Sequence, residues 1–202
     1  MMTTVDILVG DCRQHLADLP AGSVQCCVTS PPYFWARDYA HVDQIGHEES
    51  LPAYVETLGD VFDEVKRIIS DDGVLWLNLG DSYYSGNGQP CGSDPRSSSR
   101  NFMREKLRPL DVSGWDIPKK SLCGVPWLVA FELQKRGWTL RSDTIWNRQT
   151  ALSEPSVRDR PHRQHEYLFL LSKSRRYFFN RAGLNCEESV WTIPHERGMR
   201  GH

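Results

Sequence analysis

The chain has 202 residues, of which 39% are hydrophobic and 25% are charged, a composition typical of a single soluble globular domain. Its formal net charge of -2 gives no global electrostatic argument for binding nucleic acid, so any DNA contact must depend on local basic clusters. Six cysteines without a C-x-x-C pair argue against a metal site, and the absence of a signal peptide or membrane-length apolar run favours a cytoplasmic protein with reduced thiols.

Apolar segments with strand character alternate with helical segments in the first part of the chain. Strands are predicted at Val5–Val9, Val24–Thr29 and Val74–Leu79, with helices between them at Cys12–Leu19 and Leu51–Ile69. The second strand is apolar almost throughout, which is typical of a strand buried on both faces of a parallel sheet. The alternation predicts a doubly wound α/β sheet, in which ligands bind beyond the carboxyl ends of the strands.

An irregular insert separates this part from the remaining elements. Residues 82–120 are rich in Gly, Ser, Pro and charge, and the segment is too long for an ordinary connection, so it is interpreted as functional or disordered. A helix is predicted at Val125–Lys135, followed by strands at Trp138–Trp146 and Glu166–Leu171. Residues 1–202 are therefore interpreted as one domain with an insert.

The predicted strand at Val24–Thr29 runs directly into Ser30, Pro31, Pro32 and Tyr33. Two successive prolines force the backbone to leave the sheet in an extended conformation, which frees carbonyl groups from strand pairing. A lone Pro-Pro-Tyr usually marks a strand exit with an incidental aromatic residue. Its position at the end of a predicted buried strand favours a functional site instead.

The sequence Thr29-Ser30-Pro31-Pro32-Tyr33 resembles the catalytic motif of the DNA amino-methyltransferases, in which Ser, Asp or Asn precedes Pro-Pro and then Tyr or Phe. Other stretches resemble the same family in order, over nearly the whole chain. They are Gly10-Asp11-Cys12, Arg37-Asp38-Tyr39, Gln44-Ile45-Gly46, residues 75–83, residues 124–127, Arg141-Ser142-Asp143 and His165-Glu166-Tyr167. Because so little of the chain precedes Ser30, the order of the parts resembles the permuted (beta) class, in which the cofactor half follows the catalytic motif.

The resemblance implies a Rossmann-like methyltransferase fold, S-adenosyl-L-methionine as the cofactor and double-stranded DNA as the substrate. It implies that the Ser30 hydroxyl and the Pro31 carbonyl accept the two protons of an exocyclic base amine, whose lone pair is otherwise delocalised into the ring. Tyr33, helped by Phe34, would stack on a base flipped out of the duplex. Serine in the first position favours N4 of cytosine as the target, with N6 of adenine as the alternative.

Two further alternatives concern the activity itself. Methylation at carbon 5 of cytosine needs a cysteine nucleophile, and Pro90-Cys91 would provide one, but it lies in the irregular insert and does not follow a buried strand. A catalytically dead DNA-binding module is the other alternative. It is favoured by the absence of a glycine-rich turn after any predicted strand.

That missing turn also predicts that the cofactor-binding half is absent from this chain. We expect a fragment, a truncated gene or one half of a split enzyme, inactive by itself and dependent on a C-terminal half. Asp11 is a candidate cofactor contact, with capping of the helix that begins at Cys12 as the alternative.

Two local clusters of basic residues are candidate DNA contacts, in spite of the low net charge. Such clusters are usually solvated faces, but both fall in segments that follow the predicted strands. The first, in the insert, consists of Arg96, Arg100, Arg104, Lys106 and Arg108. The second, in the later polar loop, consists of Arg158, Arg160, His162 and Arg163.

Overall fold

The computed structural model describes residues 4–84, 117–148, 157–181 and 188–193. Within these ranges the chain forms three helices and a five-stranded mixed sheet. The helices are α1 (Cys12–Asp18), α2 (Leu51–Ile68) and α3 (Val125–Lys135). The strands are β1 (Val24–Thr29), β2 (Ile69–Leu79), β3 (Thr139–Arg148), β4 (His165–Ser172) and β5 (Val190–Ile193).

The strands follow the order β1-β2-β4-β3-β5 across the sheet. β1 pairs with β2 in parallel, as expected for two strands joined by a helical crossover. β4 is antiparallel to both β2 and β3, whereas β5 runs parallel to β3. The predicted α/β sheet is therefore confirmed, with a central antiparallel strand that the helix–strand alternation did not predict.

The longest helix, α2, begins and packs as its sequence pattern indicates. The Ser50 hydroxyl caps it by accepting a hydrogen bond from the Ala53 N–H at 3.2 Å. Its apolar stripe, which includes the buried residues Tyr54, Leu58 and Phe62, faces the core. α3 packs beside α2, and both helices share this core with the sheet.

The helices cover one face of the sheet, and this placement corrects the prediction for β1. Leu75, Leu77 and Leu79 of β2 are fully buried, whereas the alternating residues between them are only half-buried. In β1, Cys26 is exposed and Val28 retains 73% of its accessible surface. The prediction that this strand is buried on both faces is therefore wrong for the described part of the chain, because α2 and α3 pack on the opposite side.

Three local predictions also differ from the structure. Residues 5–9 do not form a strand, since they pair with none of the described strands, and Val5 and Val9 are 78% and 88% exposed. Residues 70–73 form an irregularity within β2, where Val24 pairs with Ile69 but Cys26 already pairs with Val74. β5 was not predicted, because its four residues are too few to show a period.

None of the helices in the described part of the chain is long and apolar enough to span a bilayer.

Candidate active site

Several polar side chains meet at one edge of the sheet. Ser30 follows the carboxyl end of β1, and Asn78 lies next to the carboxyl end of parallel β2. Because β4 runs antiparallel to β2, its second residue, Glu166, lies at the same edge, directly opposite Trp146 near the end of β3. Four neighbouring strands thus contribute to one site beyond the carboxyl ends of β1 and β2.

These residues line an open cleft of about 410 Å³. Its walls include Ser30, Pro31, Tyr33, Asn78, Trp146 and Glu166, together with residues of the loop at 36–39. Pro32 does not line the cleft, and its carbonyl instead accepts a hydrogen bond from the Tyr54 hydroxyl at 3.0 Å. Three residues of the predicted catalytic motif therefore face the cleft, and the fourth attaches the motif to helix α2.

The Tyr33 hydroxyl is the centre of the polar contacts in this cleft. Its oxygen lies 3.3 Å from the Ser30 hydroxyl, 3.0 Å from the Asn78 side-chain oxygen and 3.0 Å from Glu166 Oε2. Arg148 donates to the other carboxylate oxygen of Glu166. The Asn78 amide is oriented by its own donation to the Tyr167 carbonyl at 3.2 Å.

Burial keeps the Tyr33 hydroxyl protonated. Desolvation is the main cause that raises the pKa of Tyr33, and the negative charge of Glu166 raises it further, although the Ser30 hydrogen bond opposes the shift. A neutral tyrosine retains one proton to donate and lone pairs to accept another. The hydroxyl can therefore donate to only one of its two acceptor neighbours at a time.

Two glycines fix the position of Tyr33. A Cβ at Gly80 would lie 2.7 Å from Cε2 of the Tyr33 ring, so only glycine leaves room for the ring there. Gly46 has a φ of +103°, and a Cβ there would lie 3.0 Å from the Tyr33 carbonyl oxygen. The Trp35 N–H donates to the Gly46 carbonyl at 2.7 Å, which holds the loop after the motif against this turn.

The prediction that Phe34 helps to stack on a base is wrong. Phe34 is only 5% exposed, and its ring packs 5.2 Å from that of Tyr54 in the core. The aromatic residue that does reach the cleft from the following loop is Tyr39, which is 55% exposed.

Asp11 occupies the position that its capping alternative predicts. Its carboxylate accepts a hydrogen bond from the Arg13 N–H at 2.8 Å and so caps α1. The Arg13 guanidinium binds the same carboxylate, and these hydrogen bonds lower the pKa of Asp11 to about 2. Arg13 also donates to the Asp43 carbonyl at 3.0 Å, which places the start of α1 against the loop at 36–46.

The candidate DNA contacts are placed very differently from one another. The first cluster, which consists of Arg96, Arg100, Arg104, Lys106 and Arg108, lies outside the described residues.

The second cluster lies within the described residues. Arg158 is exposed, and the Arg160 guanidinium lies over the ring of Tyr83 at 3.5 Å from its centroid. Arg163 differs, because its side chain is only 14% exposed and lies 3.4 Å from Asp81, itself 2% exposed. The prediction of a phosphate contact is therefore not supported by the geometry of Arg163, which instead balances a buried charge.

Asp81 has a structural function beside the cleft. Its carboxylate accepts hydrogen bonds from the backbone N–H groups of Gly124 at 3.1 Å and Val125 at 2.9 Å, at the start of α3. It therefore connects the end of β2 to the helix that packs on the sheet.

Sequence reasoning assigned no function to several residues of the cleft region, among them Asn78, Trp146, Arg148 and Glu166. Asn78 and Glu166 are polar residues within otherwise apolar strands, and this interruption is the signal that could have identified them. Trp146 and Arg148 gave no comparable signal. The Trp146 indole N–H and the Arg148 Nε are both buried without a hydrogen-bond partner in the described part of the chain.

Comparison with known proteins agrees with this geometry. The sequence profile of a DNA methylase family, the N6 and N4 methyltransferases, matches residues 24–198. Type II methyltransferase M.XycI of Xanthomonas campestris pv. cyanopsidis is 44% identical over 193 residues, covering 91% of this chain and 62% of the relative. Type II methyltransferase M.SmaI of Serratia marcescens is 45% identical over 174 residues, covering 86% of this chain and 58% of the relative. The chain thus spans about three fifths of the length of these relatives.

Solved structures show the same fold at lower sequence identity. A Thermus thermophilus protein described as a DNA modification methylase, complexed with S-adenosyl-L-methionine, has a TM-score of 0.59 and 24% identity, covering 93% of this chain and 66% of that protein. The cytosine-N4-specific PvuII DNA methyltransferase has a TM-score of 0.63 and 15% identity, covering 94% of this chain and 57% of that protein. The sheet is therefore the Rossmann-like sheet of the methyltransferases. From the match over residues 24–198, the chain belongs to the DNA methylase family of N6 and N4 methyltransferases.

Proposed function

We propose that the protein containing this chain is an S-adenosyl-L-methionine-dependent DNA methyltransferase that modifies an exocyclic base amine. The target that we propose is N4 of cytosine, with N6 of adenine as the second candidate. The observation that supports this most directly is the cleft at the carboxyl edge of β1, in which Ser30, Pro31 and Tyr33 lie together. Type II methyltransferases of similar sequence support the same reaction class.

In this proposal the chain's own residues bind and orient the base. The Ser30 hydroxyl and the Pro31 carbonyl accept the amine protons, which directs the nitrogen lone pair out of the ring plane toward the methyl donor. Tyr33 forms the cleft wall against which the flipped base stacks. Because Gly80 and the hydroxyl contacts fix the ring, this wall is formed before the base arrives.

The described residues fit the binding of the base, which accepts the methyl group, better than the binding of the cofactor, which donates it. When bound, S-adenosyl-L-methionine supplies a methyl group activated by a sulfonium. Asp11 is the candidate contact for it, but the carboxylate already accepts hydrogen bonds from Arg13, so a ligand would have to share or replace them. We propose that most cofactor contacts come from polypeptide outside this chain and that the chain alone is inactive. Calorimetry on the chain with and without the remainder of its natural protein tests this, and tight cofactor binding by the chain alone would contradict it.

For DNA binding we propose that the insert at 82–120 and the loop containing Arg158 and Arg160 contact phosphates. Arg158 is exposed, and the Arg160 guanidinium is oriented by the ring of Tyr83, near the start of the insert. Such contacts position a duplex without specifying its sequence. They would place the base in reach of the cleft.

The test is to identify the methylated nucleoside. DNA is incubated with the full natural protein and labelled cofactor, digested to nucleosides and separated by chromatography. Label in N4-methylcytosine supports the proposal, and label in N6-methyladenine selects the second candidate. Label in 5-methylcytosine, abolished by Cys91→Ser, would refute both, since that product requires a cysteine nucleophile.

A further inference from the structure

The oxygen atoms of three side chains form a continuous hydrogen-bonded series that begins in the cleft. The Ser30 hydroxyl lies 3.3 Å from the Tyr33 hydroxyl, which lies 3.0 Å from Glu166 Oε2. All three residues line the cleft in which we propose that the base binds. This hydrogen-bonded series therefore connects Ser30, the proposed contact of the amine, to a carboxylate on a different strand.

The chemistry of these groups suits the transfer of a proton in one direction. Serine and tyrosine hydroxyls each donate one hydrogen bond and accept others, so each can receive a proton on one side while releasing one on the other. Glu166, the last member of the hydrogen-bonded series, is only 12% exposed, and Arg148 donates to the second oxygen of its carboxylate. An ionised carboxylate beside arginine is a stronger acceptor for the Tyr33 proton than the neutral Asn78 amide oxygen at the same 3.0 Å.

We propose that Ser30, Tyr33 and Glu166 form a proton relay that removes the proton from the base amine during methyl transfer. The inference depends on the proposed function. As the amine nitrogen forms its bond to the methyl carbon, the carbon–sulfur bond breaks and its electron pair stays on sulfur. The nitrogen gives one proton to Ser30 Oγ, Ser30 gives its own proton to the Tyr33 oxygen, and Tyr33 gives its proton to Glu166. The carboxylate ends as a neutral acid and later releases that proton to water.

Burial makes a stepwise path through a free tyrosinate unfavourable. The pKa of Tyr33 is raised by desolvation and by the adjacent Glu166, so the hydroxyl releases its proton only as it receives another from Ser30. Glu166 acts through Tyr33 and is a positioning and proton-accepting residue that does not contact the base nitrogen. This assignment gives a function to the polar residue that interrupts the apolar strand β4.

Two near-isosteric variants of the full natural protein test the relay. Glu166→Gln keeps an oxygen that accepts from Tyr33 but has no basic carboxylate, and Tyr33→Phe keeps the ring but removes the hydroxyl. Each should slow single-turnover methyl transfer by about 10²-fold at unchanged DNA affinity. The double variant should be no slower than the slower single variant, because both interrupt the same relay. The matched control is Glu132→Gln, which removes another arginine-paired carboxylate on α3, outside the cleft, and should leave the rate unchanged.

A solvent isotope experiment separates proton transfer from mere positioning. The rate of methyl transfer is plotted against the fraction of D₂O in the solvent. For wild type it should fall along a curve, because several protons move together. For Tyr33→Phe the plot should be shallow and straight. A readout without turnover is the titration of the Tyr33 hydroxyl by tyrosine-labelled NMR. The pKa of Tyr33 should fall in Glu166→Gln, because the carboxylate that raises it is gone.

The outcomes distinguish the relay from the function on which it depends. If wild-type protein yields no methylated amine, the proposed function fails. If wild-type protein methylates an amine but Glu166→Gln or Tyr33→Phe retains the wild-type rate and isotope curve, the relay is wrong and the function stands. If Glu166→Gln does not fold, Tyr33→Phe and its isotope curve decide. An uncurved wild-type isotope dependence would also overturn the relay.

Discussion

Replacing Gly80 by alanine should displace the Tyr33 ring and thereby inactivate the site while the protein still folds. The new Cβ would lie 2.7 Å from Cε2 and 3.3 Å from Cδ2 of that ring. Because carbon atoms pack at about 3.5–4.0 Å, the ring edge must move by roughly 1 Å. The Tyr33 hydroxyl moves with the ring. Its contacts to Asn78 and Glu166 are both 3.0 Å long, so this displacement should weaken or break them.

Overpacking of this kind costs about 1–3 kcal/mol of stability. A displacement of about 1 Å at a reacting group lowers the rate by roughly 10²-fold, so the effect on catalysis should exceed what the loss of folded protein explains. Urea unfolding measures the first quantity, and single-turnover methyl transfer by the full natural protein measures the second.

Gly73→Ala is the matched control on the same strand. A Cβ at Gly73 would lie 2.4 Å from the Ile69 side chain and 2.8 Å from the Gln25 carbonyl, at the end of β2 away from the cleft. It should destabilise the fold without slowing methyl transfer by folded molecules. If Gly80→Ala methylates DNA at the wild-type rate, the fixed Tyr33 wall is not needed and the reasoning is wrong.

Three further predictions concern charged residues. Asp81→Asn should lower the free energy of unfolding by about 3 kcal/mol in urea titrations, because it removes a buried charge paired with Arg163, and an unchanged midpoint would contradict the buried pair. The pKa of Asp11 falls from 3.8 to about 2 on folding, so its stabilisation is present at neutral pH and lost as the pH falls toward 2. The stability advantage of wild type over Asp11→Asn should therefore disappear over that range, and a constant difference would refute the assignment. Reversing the charge of Arg100 and Arg104 should weaken DNA binding and reduce its salt dependence by about one unit of slope per lost phosphate contact, whereas an unchanged slope would exclude the insert from the interface.

The elements that position the predicted catalytic motif could be predicted from local sequence, because their signals are local. The apolar run before Ser30, the two prolines and the period of α2 each depend on neighbouring residues in the chain. The helix cap at Asp11 could also be predicted from neighbouring residues. The same carboxylate was the candidate contact for the cofactor.

The polar contacts of the cleft could not be predicted in this way, because they join distant parts of the chain. Tyr33 and Glu166 are 133 residues apart, and their contact depends on β4 entering the sheet antiparallel next to β2. Phe34 shows the opposite error, since an aromatic residue beside the motif was assigned to the base although it packs in the core. Residues 5–9 show that an apolar segment is not a strand unless its backbone pairs with a neighbouring strand, which the local sequence does not reveal.

The most direct measurement of the central claim is single-turnover methyl transfer by Ser30→Ala in the full natural protein. Ser23→Ala is the matched control, because the Ser23 hydroxyl donates to the Pro20 carbonyl before β1, away from the cleft. If the cleft at the end of β1 accepts the base amine, Ser30→Ala should transfer methyl groups at least about 10²-fold more slowly, with unchanged DNA affinity. Ser23→Ala should match wild type. Methyl transfer by Ser30→Ala at the wild-type rate would show that the reaction takes place elsewhere.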